Sequence, residues 1–379
     1  AKDRRRVLAA RMEEPLEEHS GLAAADHAER AAVRDGLRRV LEGLSREERR
    51  LFTLRFVYGL SSAELGGVLG LSPNGVDARV SRLRKKLKRL LARLTATPLL
   101  GVLTGLAVTA VLQSSSAATV MVIGFVSAGL LELPRAVAVI YGINIGTTMT
   151  AQLVAFRLAD WVFPILFAGV LVWLLARRER TRQLGLAVFS FGLLFDGIEV
   201  LSGAMAPLAE HPVFLRWMTQ VRHTPLLGLL LGTGMTLVVQ SSSATIAVLQ
   251  RAAQQAGPDG IHSVLGLAGA LPILLGDNIG TTITAVLAAV GQPTDARRTA
   301  AAHGCFNLSG SVVCLLALPW MTRLVEAVSP KGPELEVLAR QIANAHTLFN
   351  LLCTLVWLPL TPVMVRLVCK LVPQPQSSR

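Results

Sequence analysis

The sequence predicts an all-α fold: a polytopic membrane protein with two repeated segments and re-entrant or broken helices, preceded by a small soluble helix-turn-helix domain. Of its 379 residues, 52% are hydrophobic and only 17% are charged, against about 25% charged in a typical soluble domain. Long charge-free runs fill the chain after residue 94, and two polar blocks recur inside them. This composition excludes an ordinary soluble enzyme and a disordered chain, and four cysteines exclude a disulfide scaffold.

The charge divides the chain into two unlike parts. Residues 1–94 hold 34 charged side chains with a net charge of +8, whereas residues 95–379 hold 29 with a net charge of +5. We therefore expect a basic, soluble, helical segment followed by a membrane part. The charged start of the chain argues against a secretory signal peptide.

The soluble segment carries strong helix signals. Ser45 and Glu48 form a capping-box pattern before the apolar residues of a first helix. A second helix is predicted from Ser61 through residue 69, a tight turn at 70–72, and a third helix from Pro73 to about residue 93. This order is typical of a helix-turn-helix. The third helix is basic, and its expected apolar stripe is Val76, Val80, Leu83, Leu87, Leu90 and Leu91.

Residues 44–90 resemble region 4 of bacterial sigma factors of the extracytoplasmic-function type. The match includes Leu44-Ser45-Arg46, Gly59-Leu60-Ser61 and Leu69-Gly70-Leu71-Ser72. The resemblance implies a recognition helix for the promoter −35 element, with promoter DNA or RNA polymerase as partner and residues 1–43 as a helical linker. The residues that would then face DNA are Asn74, Asp77, Arg79 and Arg82, with Arg84 and Lys85 on phosphates. On the residues alone, a basic helix lying on anionic lipid stays open as an alternative.

The membrane part contains runs too long to be single spans. The charge-free runs are 94–131, 136–156, 161–176, 223–250, 299–322 and 341–365. A span needs roughly 20 apolar residues, but 94–131 as one straight helix would reach about 57 Å. The polar block QSSS lies in the middle of this run at 113–116 and recurs at 240–243. We expect the chain to break at both blocks.

The two blocks belong to an internal repeat. Of the 21 positions 97–117, 14 are identical to those 127 residues later. A second matched pair, GINIGTTMT at 142–150 and GDNIGTTIT at 276–284, follows in the same order, with seven extra residues between the motifs in the second copy. A weaker pair, AHGCFN and AHTLFN, lies at 302–307 and 345–350.

Polar groups within a membrane must face protein or a watery cavity. Serine hydroxyls and free backbone N–H groups at a helix start can bind an anion, while serine, threonine and asparagine oxygens can coordinate Na⁺. Gly142, Gly146, Gly276 and Gly280 are expected to permit a helix break beside each asparagine. The arrangement predicts an anion–cation symporter. The alternative is that these small residues only pack helices together.

Residues 97–360 resemble the sodium-dependent phosphate cotransporter family, type II, through both QSSSA blocks, both NIGTT blocks and the HxxFN segments. The resemblance implies inverted repeats, alternating access and Na⁺ as coupling ion, in a transporter rather than an enzyme. It implies a phosphate site at Gln113, Ser114, Ser115, Ser116, Gln240, Ser241, Ser242 and Ser243. It implies Na⁺ ligands at Ser115, Asn144, Thr147, Thr148, Ser242, Asn278, Thr281 and Thr282.

The predicted domains are the linker 1–43, the helix-turn-helix 44–94, repeat one at 95–182, repeat two at 183–322, a C-terminal membrane segment at 323–372 and a tail at 373–379. Repeat one lacks a leading membrane helix, because no charge-free run within 1–94 is longer than 12 residues. The expected function is sodium-coupled phosphate symport across the cytoplasmic membrane. The alternatives are a membrane-tethered DNA-binding regulator, or an inactive fusion of the two.

Other polar residues receive lesser roles. The arginines at 177, 178, 180 and 182 form a basic loop that the positive-inside rule places in the cytoplasm, together with the N-terminal domain. Asp277 is interpreted as a loop charge in preference to part of a cation site. Asp196 and Glu199 are either functional acids or a helix end near the interface. His303, His346 and the four cysteines are expected to be structural.

Overall fold

The computed structural model describes residues 45–52, 54–55, 60–155, 161–257 and 259–374, with some side chains between 198 and 215, Glu199 among them, left out. The predicted linker 1–43 and residues 375–379 of the tail lie outside this part of the chain. The described residues are helical without a strand, so the all-α prediction is confirmed. The helices are α1 (Arg46–Phe52), α2 (Ser62–Leu69), α3 (Pro73–Leu94), α4 (Pro98–Leu112), α5 (Ser115–Ser127), α6 (Leu133–Val154), α7 (Val162–Leu175), α8 (Glu179–Glu210), α9 (Pro212–His223), α10 (Pro225–Val239), α11 (Ser242–Ala253), α12 (Gly266–Gly280), α13 (Thr282–Ala289), α14 (Thr294–Leu316), α15 (Leu318–Val328), α16 (Glu334–Trp357) and α17 (Thr361–Leu371).

The helix-turn-helix forms as predicted. Ser45 and Glu48 cap α1 reciprocally, and the hydrogen bond from Lys86 lowers the pKa of Glu48. Ser61 caps α2, and Gly70 at φ 67° ends it in the left-handed conformation that favours glycine. The buried stripe of α3 is Val76, Leu83, Leu87 and Leu91, with Val80 partly buried. Leu90 was expected in this stripe and is instead 42% exposed, because it is rotated about 100° from Leu91 on the helix.

The long apolar runs break where the polar blocks lie. α4 ends at Leu112 and α5 begins at Ser115; α10 ends at Val239 and α11 begins at Ser242. With 15 and 13 residues, α4 and α5 are about 22 and 20 Å long. Each is too short to cross a hydrocarbon core of about 30 Å. The chain therefore forms one helix–break–helix unit in each repeat.

Among the described residues, three helical segments are long and apolar enough to cross a membrane: Leu133–Val154, Gly266–Ala289 (α12 continued by α13) and Thr294–Leu316. Two bent pairs also pass this test, α3 with α4 at 104° and α16 with α17 at 89°. The bend at 95–97 follows from Pro98, which begins α4. The broken and spanning helices fit a polytopic membrane protein.

Glycines bring two helices of each repeat into direct backbone contact. A β-carbon at Gly105 would overlap the carbonyl oxygen of Val139 on α6, and one at Gly142 that of Val102 on α4. In repeat two, Gly232 and Gly276 play the same parts in the crossing of α10 and α12. The expectation that glycines beside the asparagines permit a helix break is wrong for repeat one, because α6 runs unbroken through Gly142 and Gly146. These glycines instead allow the close crossing.

The two repeats interlock. α5 packs against α6 of its own repeat and also against α13 and α14. In return, α11 packs against α12 and also against α6 of the first repeat. Gln250 on α11 stabilises the contact between α11 and α6, since its Nε2 donates to the Ala151 carbonyl of α6 at 3.2 Å. The same Nε2 donates to the Ala339 carbonyl of α16 at 3.0 Å. Each helix that follows a polar block therefore packs on both repeats.

The close crossing gives a matched pair of substitutions on α10. Gly232→Ala should lower the free energy of unfolding by about 1–3 kcal/mol, because its methyl group has no space against α12. Gly234→Ala should change it by less than about 1 kcal/mol and in the stabilising direction, because its β-carbon would meet no atom within 4 Å outside its own helix backbone. Thermal unfolding of the purified protein in detergent measures both; equal melting temperatures would contradict the crossing.

Candidate ion-binding site at the helix breaks

The breaks between α4 and α5 and between α10 and α11 have the same unusual backbone. Gln113 has φ 53° and Gln240 has φ 55°, and among the described residues these are the only non-glycine residues with positive φ. Such a conformation costs free energy and persists where the surrounding structure requires it, often at functional sites. Each glutamine ends one helix, and the serine after it caps the next.

Ser114 and Ser241 are helix N-caps. Ser114 Oγ accepts a hydrogen bond from the N–H of Ala117 at 3.2 Å, and Ser241 Oγ accepts one from Ala244 at 3.3 Å. The backbone N–H groups of the two residues after each cap have no partner within the helix. With the positive end of the helix dipole, these groups and their serine hydroxyls suit an anion. The residues concerned are Ser115, Ser116, Ser242 and Ser243.

The NIGTT segments have matching hydrogen bonds in both repeats. Asn144 Nδ2 donates to the Ile140 carbonyl and Asn278 Nδ2 to the Leu274 carbonyl, each at 2.9 Å. Both asparagines are buried, at 6% and 4% exposure. The threonine hydroxyls also donate to backbone carbonyls three or four residues earlier, from Thr147, Thr148, Thr281 and Thr282. Because the donors are used on backbone carbonyls, the hydroxyl oxygens and the amide oxygen of Asn278 keep lone pairs for a cation.

The asparagine of repeat one has partners on α14. Asn307 Nδ2 donates to Asn144 Oδ1 at 3.2 Å, and His303 Nε2 lies 3.3 Å from the same oxygen. His303 and Asn307 are themselves buried. They place the HxxFN segment against the first NIGTT segment, which the sequence did not predict. The expectation that His303 and His346 are hydrogen-bonded structural residues, in preference to proton carriers, stays a prediction.

Asp277 differs from its predicted setting. Its carboxyl group is fully buried in α12, and Thr236 Oγ1 donates to its Oδ1 at 2.6 Å. Asp277 is therefore not a loop charge. Thr245 lies in the same group, 3.3 Å from Thr236 between the hydroxyl oxygens. At the matching positions repeat one has Thr109, Ala118 and Ile143, so the two repeats are chemically unequal behind their polar blocks.

The predicted ion-site residues of the two polar blocks begin helices that pack on both repeats, whereas the predicted DNA-facing residues lie elsewhere. Both polar blocks lie at breaks whose second helices pack across the repeats, so Ser115 and Ser242 begin helices at the repeat interface. The candidate DNA-facing residues lie on α3, outside this interface, and all six are exposed. They are Asn74, Asp77, Arg79, Arg82, Arg84 and Lys85.

Several of the candidate DNA-facing residues have protein partners. Ser62 Oγ donates to Asp77 Oδ1 at 2.5 Å, Arg79 pairs with Glu47 at 3.3 Å, and Arg82 Nε donates to a carbonyl of its own helix. Arg84 reaches the membrane part, where its Nη2 donates to the Ala128 carbonyl at 2.6 Å.

The remaining predicted residues lie away from the breaks. Asp196 is half-buried on α8, and the side chain of Glu199 lies outside the described part. Of the predicted basic loop, Arg177 and Arg178 lie between α7 and α8, whereas Arg180 and Arg182 lie in the first turn of α8, because the helix already begins at Glu179. The Arg182 guanidinium lies 5.6 Å from the ring centre of Trp173. The four cysteines are free thiols beside or within the helix packing.

Sequence reasoning missed a polar network between α6 and α16. Gln152 Nε2 donates to Asn344 Oδ1 and Thr347 Oγ1, each at 3.0 Å, and Arg340 Nη1 donates to Gln152 Oε1 at 2.8 Å. Thr347 lies in the repeated AHTLFN segment, but Gln152, Arg340 and Asn344 belong to no repeated motif, so no sequence pattern pointed to their contact. Thr109 and Thr236 were also missed, although the repeat alignment makes them identical.

Comparison with known proteins finds two families. A family model described as Na⁺/Pi-cotransporter matches residues 77–203 and again residues 197–332. A model of sigma-70, region 4, matches residues 34–87. The two matches overlap on α3, over 77–87.

The chain is 36% identical over 251 residues to the uncharacterized protein YqeW of Bacillus subtilis, covering 66% of this chain and 79% of that protein. It is 29% identical over 253 residues to the putative inorganic phosphate export protein YjbB of Salmonella typhimurium, 66% of this chain but 45% of YjbB. It is 37% identical over 121 residues to human sodium-dependent phosphate transport protein 2B, 29% of this chain and 16% of that protein. No solved structure matches the chain.

Proposed function

The chain belongs to the Na⁺/Pi-cotransporter family, and from that premise we propose that it couples inorganic phosphate to Na⁺ in symport by alternating access. The family is one of phosphate transporters rather than enzymes. The observation that carries the proposal is the pair of left-handed glutamines, Gln113 and Gln240, each followed by a capped helix start. Two such strained breaks in one chain favour a shared ligand site over helix packing alone.

Phosphate binds in this proposal between the two helix starts. The dipoles of α5 and α11 and the N–H groups of Ser115, Ser116, Ser242 and Ser243 stabilise its negative charge. The side chains of Gln113 and Gln240 contribute amide donors, and Ser114 and Ser241 fix the helix starts. Because these donors carry no full charge, they hold the anion weakly enough to release it.

Na⁺ binds beside the phosphate. Its ligands are the hydroxyl oxygens of Ser115 and Ser242, with the amide and hydroxyl oxygens of the two NIGTT segments: Asn144, Thr147, Thr148, Asn278, Thr281 and Thr282. A bound cation lowers the electrostatic cost of bringing phosphate into a low-dielectric site. This mutual stabilisation couples the two ions.

In this proposal the direction of transport is set by the concentration gradients of Na⁺ and phosphate across the membrane. YjbB is named a putative inorganic phosphate export protein and protein 2B a sodium-dependent phosphate transport protein. In this proposal the same coupled step runs in either direction. We place the chain in the cytoplasmic membrane, with the helix-turn-helix and the basic loop between α7 and α8 on the cytoplasmic side. In this proposal the chain divides near residue 94, at the end of α3.

Flux measurements test the proposal. In proteoliposomes, labelled phosphate should enter faster under an inward Na⁺ gradient than under an equal K⁺ gradient. Ser115→Phe or Ser242→Phe should lower this uptake at least about tenfold, because the ring fills the anion position and a cost of 1.4 kcal/mol is a factor of ten.

Ser190→Phe provides the matched control, since Ser190 is exposed on α8 and belongs to neither polar block. Its uptake should equal that of the wild type. Equal phosphate uptake in Na⁺ and K⁺ would overturn the proposed coupling, and retained uptake in Ser115→Phe and Ser242→Phe would overturn the proposed site.

A second candidate function is sequence-specific DNA binding by α2 and α3. It is favoured by one observation, the intact helix-turn-helix whose basic residues on α3 are exposed. Region 4 of sigma-70 also matches this segment. Asn74, Asp77, Arg79 and Arg82 would read bases, and Arg84 and Lys85 would contact phosphates, with promoter DNA or RNA polymerase as the partner.

Fluorescence anisotropy with the full chain in detergent tests DNA binding. A −35-like duplex should bind more tightly than a scrambled duplex, with an affinity that falls as salt rises. Arg82→Ala should weaken the specific complex about tenfold, as expected for loss of one base contact. Arg366→Ala, a change to an exposed arginine on α17, should not. Equal affinity for the two duplexes would end this candidate.

A further inference from the structure

Helix α3 belongs to two units at once. Its first turns pack against α2 and α1, completing the helix-turn-helix. Its last turns lead into α4 through a bend of 104°. The two family matches overlap on its residues 77–87. The helix that would read DNA is therefore also the helix that leads into the first helix break.

Three hydrogen bonds fasten α3 to the membrane part. Arg84 Nη2 donates to the Ala128 carbonyl at 2.6 Å, and Arg135 Nη1 donates to the Ala92 carbonyl at 3.2 Å. Thr104 Oγ1 on α4 donates to the Leu94 carbonyl at 2.7 Å. One buried apolar cluster also joins α3 to α5 and α6. It contains Leu83, Leu87 and Leu91 of α3 together with Val122, Val126 and Ile140. We call the three hydrogen bonds donated by Arg84, Arg135 and Thr104 the α3 clasp.

The acceptor of Arg84 lies at the far end of the helix that begins at the first polar block. Ala128 is the C-cap of α5, and Ser115 is its first residue. The 13 residues of α5 form a rigid rod about 20 Å long. A displacement of its serine end therefore moves the carbonyl that holds Arg84.

Arg84 cannot serve the Ala128 carbonyl and a DNA phosphate with the same Nη2 group. The other candidate DNA-facing residues have no described hydrogen bond to the membrane part, so the base-reading face of α3 stays exposed while this phosphate contact is occupied. The clasp thus weakens a DNA complex without hiding the recognition surface.

We propose that the membrane part gates DNA binding: the turn after α5 and the DNA backbone compete for Arg84, and ion occupancy at the α5 start releases it. The partner is duplex DNA, and the proposal rests on the two functions proposed above. The described conformation holds the clasp closed. Binding of Na⁺ and phosphate moves α5, opens the clasp and raises the affinity for DNA.

The test uses the full chain in nanodiscs of zwitterionic lipid, with a labelled −35-like duplex as the probe. Arg135→Gln removes the clasp bond to the Ala92 carbonyl, which should loosen α3 from the membrane part and so weaken the hold on Arg84, and it leaves every candidate DNA-facing residue intact. It should raise the affinity roughly tenfold, a free-energy change of about 1.4 kcal/mol. It should also abolish the rise that Na⁺ with phosphate produces in the wild type. Arg93→Gln is the matched control, because Arg93 is exposed at the end of α3 and belongs to no clasp bond.

Thr104→Val breaks a different clasp bond and should act in the same direction, so misfolding of one variant does not decide the result. Hydrogen–deuterium exchange at 128–131 should increase when DNA is added. The inference is overturned if DNA binds but its affinity is equal for wild type, Arg135→Gln and Thr104→Val. It is also overturned if DNA binding is suppressed in nanodiscs of anionic lipid but not in nanodiscs of zwitterionic lipid. In that case the lipid, and not the turn after α5, competes with DNA for Arg84. Absence of DNA binding in the wild type and in every variant would instead refute the proposed DNA-binding function on which this inference rests.

Discussion

The fold depends on one steric constraint, the close crossing of α4 with α6 and of α10 with α12. At each crossing, glycines from both helices face the backbone of the partner. The crossing reaches to the break itself: a β-carbon at Gly146 would lie 2.6 Å from Cβ of Thr109, and one at Gly280 2.7 Å from Cβ of Thr236. Thr109 and Thr236 accept the N–H of Gln113 and Gln240 through their carbonyls, each at 2.7 Å. The crossings thus anchor both strained breaks.

The sequence predicted the features that composition and repetition control. The break at Gln113 followed from the length of an apolar run, and the start of α2 after Ser61 followed from a capping pattern. It could not predict that His303 and Asn307 meet Asn144, because that contact depends on how α14 packs on α6. The glycines of repeat one were assigned the wrong role for a related reason: local flexibility is visible in a sequence, whereas backbone contact with another helix is not. Asp277 was misplaced because its charge suggested a loop, although Thr236 supplies a buried partner.

The repeats are alike in backbone and unequal in chemistry. Asp277 in α12 has Ile143 as its counterpart in α6. Asn144 has partners on α14, and Gln250 ties α11 to α6 and α16. The two halves therefore provide similar helix starts for an anion but different surroundings for cations. A site shared between unequal halves can take one phosphate with cations held differently on its two sides. The repeats also differ in what precedes them, because the first repeat shares α3 with the helix-turn-helix.

If both helix breaks form one phosphate site, its stoichiometry can be measured by equilibrium binding of labelled phosphate to the purified chain with Na⁺ present. We expect one phosphate per chain, loss of binding when Na⁺ is replaced by K⁺, and loss of binding when either Gln113 or Gln240 is changed to valine. Two phosphates per chain, or half of the binding surviving when one break is altered, would instead show two independent sites.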